Sequence, residues 1–161
     1  MKTFATEQAI YGVVLVAGLL VVTADKADAF WDVFVKVLIT VLIFWAVHVY
    51  AGTIAHLGDA LDAGVPPMAR ISKAVHVAVE HSWGMLLAVV PPLLVLVIGH
   101  PWFLDDTGAV WVALWLCVAL LGVLGYGKVA VWTTDQRARL LGGAATGALG
   151  LLMVSLKALV H

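Results

Sequence analysis

The sequence predicts an all-α fold, a polytopic integral membrane bundle of about five transmembrane helices forming one domain over residues 1–161. The first observation behind this prediction is composition, since 63% of the residues are hydrophobic and only 12% are charged. The mean hydropathy is +1.07. A soluble domain has about half apolar and a quarter charged residues, and a chain of this length cannot hide so much apolar surface from water. Lipid is therefore the expected solvent.

The second observation is the length and continuity of the apolar runs. A helix needs about 20 apolar residues to cross the hydrocarbon core, and five runs approach or exceed that length. The runs are continuous rather than alternating, which makes a transmembrane barrel a poor alternative. Short polar or turn-rich segments separate them, and none is long enough to form a folded extramembrane domain. The predicted spans cover about residues 4–23, 30–57, 70–99, 109–132 and 137–160.

The first run has a second interpretation. Ala27–Ala29 resembles the cleavage site of a signal peptide that would begin at Lys2. Glu7 offsets the charge of Lys2, which is not typical of the basic amino-terminal region of such a peptide. We therefore interpret residues 4–23 as a span. If residues 4–23 were cleaved or did not span the membrane, four spans would remain, and each would keep the same orientation in the membrane.

The basic residues predict the orientation of the bundle. Lys36 and Lys157 lie just inside the ends of their runs, and we expect their amines to extend outward to the interface. Lys and Arg are enriched in cytoplasmic segments, and six of the nine fall at run ends on the side of the amino terminus. We therefore expect a multi-pass protein of the cell membrane with a cytoplasmic amino terminus. The six are Lys2, Arg70, Lys73, Lys128, Arg137 and Arg139.

Composition and motifs exclude several classes of protein. Nine Lys and Arg against ten Asp and Glu leave no basic surplus for nucleic acid. A single cysteine, Cys117, excludes a disulfide framework and is interpreted as a small packing residue. The chain contains no C-x-x-C-H, G-x-S-x-G or T-V-G-Y-G sequence. The sequence therefore favours a protein that is not an enzyme.

Small residues and prolines predict how the helices pack. Lipid tails are as apolar as leucine, so helices associate where their backbones approach closely. Gly143, Gly147 and Gly150 lie on one stripe of the fifth run. This stripe either packs against the fourth run of the same chain or forms a homo-oligomer interface. Pro91 and Pro92 predict a kink in the third run, which is either structural or the hinge of a gate.

Ionisable residues fall inside the second and third runs, where each costs about 2.5–3.5 kcal/mol to insert. Counting about 1.5 Å per residue from the inner ends of these runs places His48 and Glu80 roughly 14 Å deep, near the midplane. Consecutive runs should form antiparallel neighbours, with His48 level with Glu80 and His76 opposite Gly52. His76 and Glu80 share a face. We therefore expect His48, His76 and Glu80 to converge, while His81 points about 100° away, toward another helix or a second subunit.

Three interpretations of this cluster remain open. The first is a hydrogen-bonded pair, His48 with Glu80, that holds helices together. The second is a proton or cation path, because imidazole changes charge near neutral pH and Glu–His chains serve as intramembrane relays. The third is a bound divalent metal ion, with His48, His76 and Glu80 as ligands, or haem, which would need more space between the helices.

We therefore expect a transport protein or ion channel that moves a small cation, a proton or a metal ion. The expected path passes His48, His76, Glu80 and His81, with the Pro91–Pro92 hinge on its outer half. A chain this small encloses little volume, so we expect a homo-oligomer in the lipid bilayer. The alternatives are a metal- or haem-binding membrane protein, redox or enzymatic, and a non-catalytic membrane subunit.

Overall fold

Five helices make up nearly all of the part of the chain that is described. The computed structural model describes residues 7–23, 30–59, 66–102 and 106–160. Lys2 and Ala27–Ala29, which entered the orientation and signal-peptide arguments, lie outside these residues. Of the described residues 97% are helical and none is in a strand, which confirms the all-α prediction. The helices are α1 (Glu7–Thr23), α2 (Phe30–Asp59), α3 (Pro67–Trp102), α4 (Asp106–Trp132) and α5 (Gln136–Val160).

Four of these helices, α2 to α5, are long and apolar enough to cross a membrane. The remaining helix, α1, is apolar but has only 17 described residues, about 26 Å of helix. It packs against each of the other four helices. One side of α1 contributes to a buried cluster that also takes residues from α2, α3 and α4. The α1 members of this cluster are Val13, Val16, Ala17, Leu20 and Val21.

The α4–α5 turn is fixed by side chains that cap both helices. Asp135 begins α5, since its Oδ1 accepts a hydrogen bond of 3.0 Å from the backbone N–H of Arg137. Arg139 ends α4, since its Nε donates to the carbonyl of Thr133 at 2.9 Å. The backbone N–H of Asp135 donates to Thr133 Oγ1 at 3.1 Å. Only residues 133–135 separate the two helices, so α4 and α5 are antiparallel neighbours.

Glycines allow the backbones of α4 and α5 to touch. A Cβ at Gly143 would stand 2.9 Å from the Gly122 carbonyl oxygen, and a Cβ at Gly150 would stand 2.9 Å from Val118 Cα. Between these contacts, Thr146 Oγ1 donates to the α4 carbonyl of Leu121 at 2.8 Å. The stripe Gly143, Gly147 and Gly150 therefore faces α4 of the same chain, as the intramolecular interpretation predicts.

The helices α2 and α3 form a second antiparallel pair. Residues 60–66 reach at most about 25 Å, which is too short to run back along the roughly 45 Å of α2. At their contact, a Cβ at Gly52 would stand 3.2 Å from the Ala78 Cβ. Gly52 therefore lies opposite Ala78, whereas the sequence placed it opposite His76. The helix register is shifted by two residues from the predicted one, and this shift decides which α3 side chains face α2.

Candidate functional site

A single buried stripe of α3 contacts two other helices. Its residues recur every three or four positions, as one face of a helix requires, and they are Ala74, Ala78, Ser82, Met85 and Val89. Helix α2 meets this stripe at Ala78, through Gly52. Helix α1 meets it at Met85, because a Cβ at Gly12 would stand 2.7 Å from the Met85 carbonyl oxygen. The two contacts are seven residues apart, about 10 Å along α3.

The directions of the helices fix which residues lie between these two contacts. The buried cluster combines α1 residues after Gly12 with α3 residues after Met85, namely Val89 and Leu96, so α1 and α3 run in the same direction. Gln8, one turn before Gly12, is therefore level with the α3 turn that precedes Met85. That turn contains Ser82.

The same reasoning places a residue of α2 at this level. His48 lies one turn before Gly52 in α2, and Ser82 lies one turn after Ala78 in α3. Because α2 and α3 are antiparallel, the step from the Gly52–Ala78 contact brings His48 level with Ser82. Gln8, His48 and Ser82, from three different helices, thus occupy one level of the bundle, and we call them the polar layer.

The polar layer contains buried hydrogen-bonding groups in a largely apolar bundle. Gln8 is only 6% exposed, and its Oε1 has no hydrogen-bond partner among the described residues. Ser82 is 1% exposed and donates to its own helix, to the carbonyl of Ala78 at 2.7 Å. His48 is partly buried. Trp45, one turn before His48, has a buried Nε1 without a partner within the described segments.

Buried polar atoms of this kind need an explanation. Leaving a buried donor or acceptor unpaired costs about 1–3 kcal/mol, and such groups usually bind a water, an ion or a reacting group. The layer offers an oxygen acceptor from Gln8, a hydroxyl from Ser82 and an ionisable imidazole from His48. These groups are able to bind water and to pass a proton.

His76 and Glu80 lie together, but on the opposite face of α3. His76 Nε2 and Glu80 Oε1 are 3.4 Å apart, and their side chains are 75% and 61% exposed. Each is two residues from Ala78, which turns it about 200° away from the face that meets α2. His81 is also exposed. The predicted convergence of His48 with His76 and Glu80 is therefore not found, because the register differs by two residues from the predicted one.

The described residues form no metal site. Within residues 7–23, 30–59, 66–102 and 106–160, no three His, Cys, Asp or Glu side chains are grouped to hold a metal ion. His48 lies on the side of α2 that carries Gly52, whereas His76 and Glu80 point away from α2. The proposed ligand set His48, His76 and Glu80 is thus not assembled within one chain.

The depth of Glu80 along the bundle also differs from the depth near the midplane that the sequence predicts. Glu80 lies five residues before Met85, and Glu7 lies five residues before Gly12, so the two carboxylates are level. Glu7 is exposed and accepts a hydrogen bond of 2.8 Å from the Tyr11 hydroxyl. Glu80 is therefore level with the polar start of α1, rather than midway along an apolar segment. From this level α2 and α3 extend further as a hairpin that carries His56 and His76.

Other predicted residues are placed as follows. Helix α3 continues through Pro91 and Pro92, and Pro92 is fully buried. Lys36 is exposed as expected, but Lys157 is 1% exposed and lies inside the bundle, so its predicted outward extension is wrong. The reason is rotational, since Lys157 follows Gly150 by seven residues and shares its inward face.

Sequence reasoning missed Gln8, Ser82 and Trp45 as members of a site. A glutamine and a serine within apolar runs were the available signal, but only the packing of α1 against α3 brings them to the level of His48.

The fold and its composition define the class of this chain as a multi-pass α-helical membrane protein. Comparison with protein-family models, with curated proteins and with solved structures finds no match to the chain. The function must therefore be argued from the bundle itself.

Proposed function

We propose that this protein transports a small cation across the cell membrane, with its amino terminus on the cytoplasmic side. The observation that carries this proposal is the polar layer, in which Gln8 and Ser82 are buried and His48 is partly buried. Polar and ionisable groups inside membrane helices are costly, and they commonly mark ion pathways. Here they come from three helices and lie at one level, between the close contacts at Gly52–Ala78 and Gly12–Met85, which supports a path along the seam of α1, α2 and α3.

The proposed path has an inner mouth and an internal relay. His76, Glu80 and His81 are exposed on α3 at and beyond the polar start of α1. This position suits a cluster that collects cations from the cytoplasmic water. His48 is partly buried and level with Gln8, and it is the ionisable group that carries the cation from the mouth into the bundle. Pro91 and Pro92 lie beyond this level and provide the hinge of the outer half.

We also propose that the protein acts as a homo-oligomer. Helices α2 and α3 pack closely where Gly52 faces the Ala78 methyl group, and α1 and α3 pack closely where Gly12 faces the Met85 carbonyl, so a single chain leaves little space along this seam. The exposed faces of α2 and α3 are rich in large apolar side chains, including Ile43, Tyr50 and Ile54. A second copy against this side would place the His76–Glu80 pairs of two chains around a shared mouth.

The test is cation flux into liposomes that contain the purified protein. Replacement of the relay, His48→Gln, should abolish flux, and removal of the collecting carboxylate, Glu80→Gln, should lower it. Both variants should still elute as assembled protein. His56→Gln and Asp135→Asn serve as matched controls, because His56 bonds its own helix and Asn preserves the α5 cap. Wild-type flux no greater than that of empty liposomes contradicts the proposal.

A further inference from the structure

We infer that the cation transported is the proton and not a metal ion, an inference that rests on the proposed transport function. The first argument is the chemistry of the buried groups. The buried polar residues among those described are Gln8, Thr53, Ser82 and Lys157. None is a carboxylate, and the single buried charged side chain in this set is an amine. The Asp and Glu residues whose exposure is described, Glu7, Asp32, Glu80 and Asp135, are all exposed.

A metal cation needs more than the polar layer supplies. Alkali and alkaline-earth ions that lose hydration water require several oxygen ligands, and divalent ions require carboxylates, thiolates or several imidazoles. The polar layer offers one amide oxygen, one hydroxyl and one imidazole. These groups suit a water molecule and a migrating proton, because an imidazole binds a proton on one ring nitrogen and releases another from the opposite nitrogen.

The second argument is the space between the helices. The polar layer lies between the Gly52–Ala78 contact and the Gly12–Met85 contact. At the first, a Cβ on Gly52 would stand 3.2 Å from Ala78 Cβ, and at the second, one on Gly12 would stand 2.7 Å from a carbonyl oxygen. Packing this close leaves little room for a hydrated ion between the members of either helix pair. A proton moves along hydrogen bonds and needs only rotations of water and side chains.

The side chains at the level of His48 carry no charge. Its own helix brings Trp45 and Gly52 near it, α3 brings Ser82, and α1 brings Gln8, all of them uncharged. Among described residues the carboxylates nearest in level are Glu7 and Glu80, both exposed at the inner end. An imidazolium formed at His48 therefore has no buried counter-ion to hold it.

The proton step balances without another reactant. A hydronium ion or a water chain at the inner mouth gives one proton to the free nitrogen of His48. The other ring nitrogen then gives its proton to a water at the level of Gln8 and Ser82. Loss of this proton leaves the ring neutral in the other tautomer, and rotation of the ring restores the starting arrangement, so one proton has moved and no bond between heavy atoms has changed.

The test measures selectivity in liposomes that contain the full-length protein and a trapped pH dye. Potassium is equal on both sides and clamped with valinomycin, sodium is replaced by choline, and a chelator removes divalent metal. A pH step should then drive proton flux through the wild type. His48→Gln should reduce this flux to the level of empty liposomes, while His56→Gln should leave it unchanged.

The outcomes separate the inference from the function on which it rests. Flux of Na⁺, Mn²⁺ or Zn²⁺ without proton flux overturns the inference and leaves cation transport standing. The absence of all flux overturns the transport proposal itself. If His48→Gln does not fold, the comparison of proton flux with metal-ion flux through the wild type still tests whether the proton is the transported cation. A folded His48→Gln variant that retains full proton flux also overturns the assigned role of His48.

Discussion

Gly12 in α1 lies directly against the backbone of Met85 in α3, where a Cβ would stand 2.7 Å from the Met85 carbonyl oxygen. This contact sets the position of α1 along the bundle. It makes Gln8 level with Ser82 and Glu7 level with Glu80. The position of the site relative to the start of α1 follows from it.

The first prediction concerns this contact. Gly12→Ala should destabilise the protein, because the new methyl group meets a backbone oxygen that cannot move without moving α3. Overpacking of this kind costs about 1–3 kcal/mol. The measurement is thermal unfolding in detergent, followed by loss of the monodisperse peak. Gly18→Ala is the matched control in the same helix, since nothing lies within 4 Å of a Cβ there. Equal stability of the two variants would contradict the close approach.

The second prediction concerns the α4–α5 pair. Thr146→Val removes the hydrogen bond of 2.8 Å from Thr146 Oγ1 to the α4 carbonyl of Leu121 while keeping the side-chain shape. Interhelical bonds of this type contribute about 0.6 kcal/mol on average and about 1.7 at most. The free energy of unfolding should fall by an amount in this range. Thr40→Val is the control, because Thr40 bonds only the Lys36 carbonyl of its own helix. A larger loss at Thr40 would show that the interhelical bond does not stabilise the pair.

The third prediction concerns the turn at the end of α4. Arg139→Met removes a charged donor to the Thr133 carbonyl and should lower stability by roughly 1.5–3 kcal/mol. Arg137→Met removes the same charge from the same end of the bundle, but its exposed side chain makes no hydrogen bond recorded in the described structure. It should change stability by less than about 0.5 kcal/mol. Chemical unfolding of both variants checks the difference, and similar losses would mean that charge, not capping, is responsible.

The fourth prediction concerns the level of Glu80. A thiol at position 80, introduced by Glu80→Cys, should react with a charged maleimide added to the side of the membrane on which α1 begins. Ala78→Cys should not react, because Ala78 is buried against α2. The wild type provides the blank, since Cys117 is buried. Rates should differ by about tenfold or more, because only an accessible thiolate reacts. Labelling of Glu80→Cys by membrane-permeant reagents alone would place this position in lipid and contradict its level with Glu7.

Individual residues show how far sequence reasoning reached. The i,i+4 spacing of His76 and Glu80 correctly predicted a pair, because helical geometry alone fixes that distance. Gly143 and Gly150 face α4 of the same chain, which was one of the two predicted alternatives; the other was a homo-oligomer interface. The placement of His76 and Glu80 against His48 failed, because run ends define a register only to within a few residues. An error of two residues turns a side chain about 200°.

What the sequence determined by itself was the class of protein and the order of its helices. Long continuous apolar runs require lipid and can be satisfied there only as helices, whatever their neighbours do. What the tertiary structure alone decided was rotation, register and the depth of α1. These depend on where glycine allows two backbones to meet, as at Gly12 and Gly52, and such contacts join residues far apart in the chain. For that reason Gln8 and Ser82 enter the site, while Glu80 faces away from it.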